Sequence, residues 1–116
     1  MAITEPYELD GVTVSTSEIS VTNGDTSLQT QTTDGIYQLW VDTTNMAAGD
    51  VFKVQLYEKV EATGGTKRLF LSVILIGAQT ENLVIPGLPL IHGWEMTIIK
   101  LAGTDRAFDA SIRKVA

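Results

Sequence analysis

Four groups of residues have types or spacing that bear on chemistry. His92 is the sole histidine, which excludes multi-histidine metal centres and weakens any catalytic triad. It stands in Pro89-Leu90-Ile91-His92-Gly93, a loop before a strand, where imidazole commonly satisfies a backbone group or faces solvent. Asp42 and Asp50 flank the loop 43–49 and offer the oxygen ligands that Ca²⁺ takes. No calcium-loop pattern accompanies them, and turn capping accounts for both. Nothing in the spacing of the 14 acidic residues singles out a glycosidase pair. Gly64-Gly65-Thr66-Lys67 looks like part of a phosphate loop but lacks the first glycine and the following helix. Trp40, Trp94, Tyr37 and Tyr57 raise the question of sugar stacking. Trp94 shares the parity of Met96 and Ile98, so it reads as core. Trp40 lies in Ile36-Tyr37-Gln38-Leu39-Trp40-Val41, apolar on both parities, which suits a buried strand or a subunit interface.

The elements that must position these residues are strands. Turn signals recur along the chain: Asp10-Gly11, Asn23-Gly24, Asp34-Gly35, Gly49-Asp50, Gly64-Gly65, Gly77, Pro86-Gly87, Gly93 and Gly103-Thr104. β-rich segments lie between them, and no segment sustains a helical apolar period. The pattern predicts an all-β, single-domain antiparallel β-sandwich, jelly-roll-like, with about eight strands. The strands are expected at 12–21, 26–33, 35–42, 51–61, 68–76, 82–85, 94–101 and 108–115. Residues 1–11 read as an extended N-terminal arm, frayed or docked on a neighbour, and 12–116 as the sandwich. The polar segments 12–21 and 26–33 suit edge or outer positions. Leu69 to Ile76 is apolar on both faces, as for a central strand or one whose outer face meets another subunit.

Two hairpins can be registered. A two-residue turn at Gly64-Gly65 sets Glu61 opposite Arg68, Leu56 opposite Val73 and Val54 opposite Leu75, with a projecting tip. A turn centred on Thr104 sets Met96 opposite Ile112, Ile98 opposite Ala110, Glu95 opposite Arg113 and Thr97 opposite Ser111. That register places Trp94, Met96, Ile98, Phe108 and Ile112 in the core.

Bulk properties narrow the class. A chain of 116 residues buries roughly 65% of its extended surface, enough for one core. Without cysteine there is no disulfide, thiolate metal site or thiol nucleophile. No apolar run approaches the ~20 residues of a membrane span. The first residues show neither a basic region nor an apolar run, so the expectation is synthesis in a cytoplasm without a signal peptide. Net charge is −6, distributed unevenly: residues 1–50 hold eight acids and no Lys or Arg, and residues 51–116 hold six acids and all eight bases. This asymmetry suits head-to-tail contact between copies or a basic partner, and argues against nucleic-acid backbones.

The runs Gly93-Trp94-Glu95-Met96-Thr97-Ile98, Ala102-Gly103-Thr104-Asp105-Arg106-Ala107-Phe108 and Ser111-Ile112-Arg113-Lys114-Val115 resemble the C-terminal end of small virion structural proteins of tailed bacteriophages. Thr33-Asp34-Gly35-Ile36-Tyr37-Gln38-Leu39, Ala48-Gly49-Asp50 and Tyr57-Glu58-Lys59-Val60 are similar to the same group. The resemblance covers about residues 26–116. It implies a capsid decoration (cement) protein: a small, often trimeric, β-sandwich or jelly roll seated on the major capsid protein at the virion surface and made in the host cytoplasm. No enzyme activity, cofactor, metal, nucleic acid or membrane is implied. A tail, neck or head-completion component and a carbohydrate- or receptor-binding module are the alternatives. The expected contact residues are Glu61, Lys67 and Arg68 at the middle tip, Glu5, Tyr7 and Glu8 on the arm, and the strand faces at Phe70 and Ile74.

Overall fold

The structure, a computed structural model, describes residues 2–115. Its strands are β1 (Ile3–Val14), β2 (Ile19–Ser20), β3 (Gly35–Asp42), β4 (Val51–Glu58), β5 (Arg68–Ile76), β6 (Leu83–Leu90), β7 (Trp94–Ala102) and β8 (Arg106–Val115). They form two four-stranded antiparallel sheets, ordered β1-β8-β3-β6 and β2-β7-β4-β5, packed as a sandwich. This interleaved order is that of a jelly roll, two Greek keys wound together. The expected all-β sandwich is therefore what the chain adopts.

Alternation explains most of the layering. Tyr37, Leu39 and Val41 of β3 and Phe52, Val54 and Leu56 of β4 point inward and are buried, while their neighbours along each strand are partly exposed. Three aromatic contacts join the sheets, two of them close, the third being Tyr7 with Trp94. Tyr37 meets Trp94 at 4.5 Å between ring centroids, and Phe52 meets Phe108 edge-on at 4.8 Å. Trp94, Met96, Ile98, Phe108 and Ile112 are all buried in this core, as their parity predicts.

The jelly roll also explains the departures. Consecutive strands in it change sheets, except β4 and β5. The expected closing hairpin does not form: β7 pairs with β2 and β4, and β8 pairs with β1 and β3. Parity assigned the core correctly because each strand faces the same interior from its own side. The arm expected over 1–11 enters β1 at Ile3 and pairs with β8 from Ile3↔Val115 to Val14↔Arg106. Around Gln31 the segment 26–33 makes only an isolated bridge to Trp94, so its polar composition forms a covering loop instead of a strand.

The middle hairpin exists with a different register. Val54 pairs with Val73, Leu56 with Leu71 and Glu58 with Arg68. The shift is two residues along Val51 to Leu56, which preserves which face each side chain takes, and a bulge at Phe70 makes it three at Glu58↔Arg68. Gly64 has φ 74° but Gly65 is not in the left-handed region, so the two-residue turn does not close and residues 59–67 form a longer loop. Interactions with the body hold that loop: the Lys59 N–H donates to the His92 carbonyl at 3.0 Å, and the Glu58 carboxylate accepts from the Ile91 and His92 N–H groups at 2.6 and 3.0 Å. The loop is anchored at its base and does not project freely.

Candidate functional site

Two chemically different surfaces emerge, one on each sheet. On the first sheet, β1, β8 and β3 lie side by side and their outward residues line a shallow cleft of about 300 Å³. Register shifts between Thr4 and Tyr7 and between Leu9 and Val12 bend β1 along its rim. Gly11 takes φ 62° there and its N–H donates to Asp109 Oδ1 at 2.7 Å.

Glu5, Glu8, Asp10, Asp42 and Asp109 supply the negative charge of this cleft, against Arg113. Asp42 stands directly opposite Asp109 across β3 and β8, an unfavourable pairing of like charges. Each is relieved locally. Asp42 accepts from the Thr44 hydroxyl and N–H at 2.5 and 3.0 Å, which lowers its pKa. Glu5 and Glu8 share a hydrogen bond, and that bond, with the charge of Glu5, raises the pKa of Glu8. Glu5 also accepts from the Ser111 hydroxyl.

Trp40 lies on the same face, part-buried. The Arg113 guanidinium sits 4.1 Å from its ring centroid and covers one ring face. The indole N–H donates to Gln38 Oε1 at 3.3 Å. An arginine in that place competes with a stacked sugar for the ring.

Tyr7 does not belong to this surface. It turns toward the core, donates its hydroxyl to Gln31 Oε1 at 2.8 Å and meets Trp94 edge-on at 6.2 Å. Burial raises its pKa. The structure thus brings Glu5 and Glu8 together and separates Tyr7 from them.

The second surface is the outer face and edge of β5. Phe70, Ile74 and Ile76 point outward and are 47%, 54% and 70% exposed. Lys53 stands beside Ile74, and Gln55 beside Ser72. Leu71, Val73 and Leu75 face inward onto the core. The expectation of a strand covered on both sides is corrected: β5 is the sheet edge, with its outer face open. Arg68 begins it, exposed, and Glu61 lies exposed in the preceding loop.

Lys67 is committed elsewhere. Its ammonium pairs with Glu95 and donates to the Thr30 hydroxyl at 2.9 Å. Glu95 also accepts from the Gln29 N–H at 2.9 Å. The expected partner of Glu95, Arg113, lies in the other sheet, and sequence reasoning missed both the Lys67 pairing and Glu18, which accepts from the Tyr57 hydroxyl at 2.8 Å and from Thr97. These groups lie on the outer face of β4 and β7, under the loop that follows β2. A Glu inside an apolar strand was the available signal.

Asp42 and Asp50 do not converge. Asp50 is buried and accepts from Ala47 N–H at 2.9 Å, Thr104 N–H at 3.1 Å and Arg106 Nε at 2.8 Å. It closes the corner between β7 and β8. Among the described residues no group of three His, Cys, Asp or Glu side chains is disposed to hold a metal. His92 is part-buried in its loop, and its backbone carries the contacts to Glu58 and Lys59.

Comparison with known proteins yields no relatives: no family model, no curated protein and no solved structure matches the chain.

Proposed function

We propose that this chain is a non-enzymatic virion structural protein of a tailed bacteriophage, a capsid decoration protein that binds the major capsid protein lattice and stabilises the head. The observation that carries this reading is the presence of two dissimilar contact surfaces on the two sheets of one small sandwich: an acidic cleft face on β1, β8 and β3, and an apolar edge on β5. A decoration protein has two kinds of neighbour, its own copies and the shell, and needs a surface for each. The acidic face suits a basic patch on the shell, where complementary charge steers docking and fixes orientation. The apolar edge suits lasting contact between protein chains. The phage-like runs within residues 26–116 supply the biological setting, and jelly rolls are a recurrent architecture of viral coat domains.

The test is co-sedimentation of the purified protein with expanded capsids lacking decoration. The expected result is saturable binding and a higher temperature of capsid disruption. Replacing Glu5 and Glu8 together by Lys is expected to weaken binding at least tenfold without unfolding the exposed rim of β1. No co-sedimentation at micromolar protein overturns the reading. Binding confined to tails or necks reassigns the protein to those structures.

A further inference from the structure

We propose that β5 pairs edge to edge with β5 of a second copy, antiparallel and about a two-fold axis at Ser72, joining two sheets into one of eight strands. The four sheet edges of the sandwich are not treated alike. β1 carries Pro6, two register shifts and the acids Glu5, Glu8 and Asp10. β6 contains Pro86, Gly87 and Pro89, and its pairing with β3 is interrupted between Tyr37 and Leu39. β2 is two residues long. Prolines, bulges, charges and short length are the devices that keep a sheet edge from pairing with another chain.

β5 has no proline, and its one bulge, with Phe70 as the extra residue, lies near the end that carries its one charge. It runs nine residues, Arg-Leu-Phe-Leu-Ser-Val-Ile-Leu-Ile, with its single charge at the first position. From Leu71 to Ile76 its pairing with β4 is unbroken. Over Leu71 to Ile76 the free edge is therefore a regular row of backbone donors and acceptors, flanked by exposed apolar side chains.

The occupant follows from the strand's own pattern. Ser72 is the midpoint of β5. An antiparallel pair centred there sets Leu71 against Val73 of the second copy and Ser72 against Ser72, and brings Phe70, at the bulge, alongside Ile74. Large apolar groups meet large apolar groups on both faces, and the two small hydroxyls meet at the axis. Centring on Leu71 instead sets Phe70 against Ser72 and Arg68 against Ile74, which wastes both exposed apolar groups. Such self-complementarity is what a closed two-fold contact requires, and strand addition is a common way for chains to join. The pairing uses no residue of the acidic cleft, so it stands independently of shell binding.

The experiment is mass measurement of the full chain in solution, with two variants. The wild type is expected at about twice its 12.6 kDa chain mass. Ile74→Lys, an exposed outward position, is expected to run as a folded monomer with unchanged circular dichroism. Ser72→Cys places the only thiol of the chain on the axis. Directly opposed strand residues lie roughly 4.5–5.5 Å apart at Cα, within disulfide reach, so mild oxidation is expected to cross-link most of the protein as dimers. A monomeric or trimeric wild type overturns the proposal. So does a dimer that survives Ile74→Lys, or one in which Ser72→Cys fails to cross-link.

Discussion

Lys67, in the loop before β5, pairs with Glu95 of β7, a carboxylate whose side chain is only 1% exposed. The pair ties the loop 59–67 to the outer face of the second sheet, and the Thr30 hydroxyl and Gln29 N–H complete the cluster. Removing the cation strands a buried charge, the costly half of any buried ion pair. Lys67→Met is expected to cost about 2 kcal/mol, below the full buried-pair penalty because the lysine is partly exposed. Glu95→Gln should cost less, since an amide oxygen still accepts from Gln29. Urea denaturation of the two variants checks the order, and equal stability of Lys67→Met and wild type would show that the pair contributes nothing.

Asp50 organises the turn between β7 and β8. Gly103 is held at φ 91°, and a Cβ there would come within 2.4 Å of Asp50 Oδ1 and 2.6 Å of its Cα. Gly103→Ala therefore combines left-handed strain with a clash against a tethered residue, and is expected to destabilise by about 1–3 kcal/mol. Thermal unfolding measures it. Gly64→Ala is the control, since its φ is also positive but open space surrounds it.

The same carboxylate gives the fold an acid limit. The Arg106 guanidinium, then the Ala47 and Thr104 N–H groups, hold the Asp50 pKa down at about 2, against an ordinary value of 3.8. A folded-state pKa below the unfolded one means that this stabilisation is complete above pH 3.8 and is lost as pH falls toward 2. Stability measured across that window should fall more steeply in the wild type than in Asp50→Asn, which starts lower and lacks this titration.

Much of this was legible in the chain. The alternation in β3 and β4, the parity of Trp94, Met96, Ile98, Phe108 and Ile112, and the turn glycines fix an all-β sandwich and its core. Sheet membership was not legible. Met96 and Ile112 both point inward whether their strands are hydrogen-bonded neighbours or face each other from opposite sheets, so apolar pairing cannot distinguish a hairpin from a jelly-roll crossover. For the contact surfaces, the open face of β5 was one of two readings of its apolar run. The fate of Lys67 was invisible because its partner, Glu95, lies 28 residues away on a strand that reads as core. Tyr7 and Glu8 are adjacent in sequence, but alternation sends them to opposite faces.

The three tyrosines set an alkaline limit. Burial pushes the hydroxyls of Tyr7 and Tyr37 above their ordinary value of 10.0. Tyr57 is pushed up to about 12, by burial first and then by its hydrogen bond to Glu18. A raised folded-state value keeps the proton on in the folded protein, so this contribution is intact below pH 10 and is lost as pH rises toward 12. Absorbance at about 295 nm, the phenolate band, should stay flat through the ordinary tyrosine range and then rise together with loss of tertiary structure. A reversible step of one tyrosine at pH 10 in folded protein would contradict the raised values of all three.

Arg113 over Trp40 is the last relationship with a direct optical readout. The guanidinium carbon lies 4.1 Å from the ring centroid, on a face otherwise lined by acids. At a partly exposed site such a stack contributes about 0.5–1 kcal/mol. Arg113→Ala is expected to cost no more than that, to red-shift the Trp40 emission and to raise its acrylamide quenching, while buried Trp94 keeps its blue component. The variant also bears on sugar binding, because it frees the ring face that the arginine occupies. If an oligosaccharide shifts the emission of the wild type as strongly as that of Arg113→Ala, the arginine is not a lid on the ring, and the cleft is a sugar site as it stands. If neither emission shifts, Trp40 serves to hold Arg113 in place and so to set the charge pattern of the acidic face.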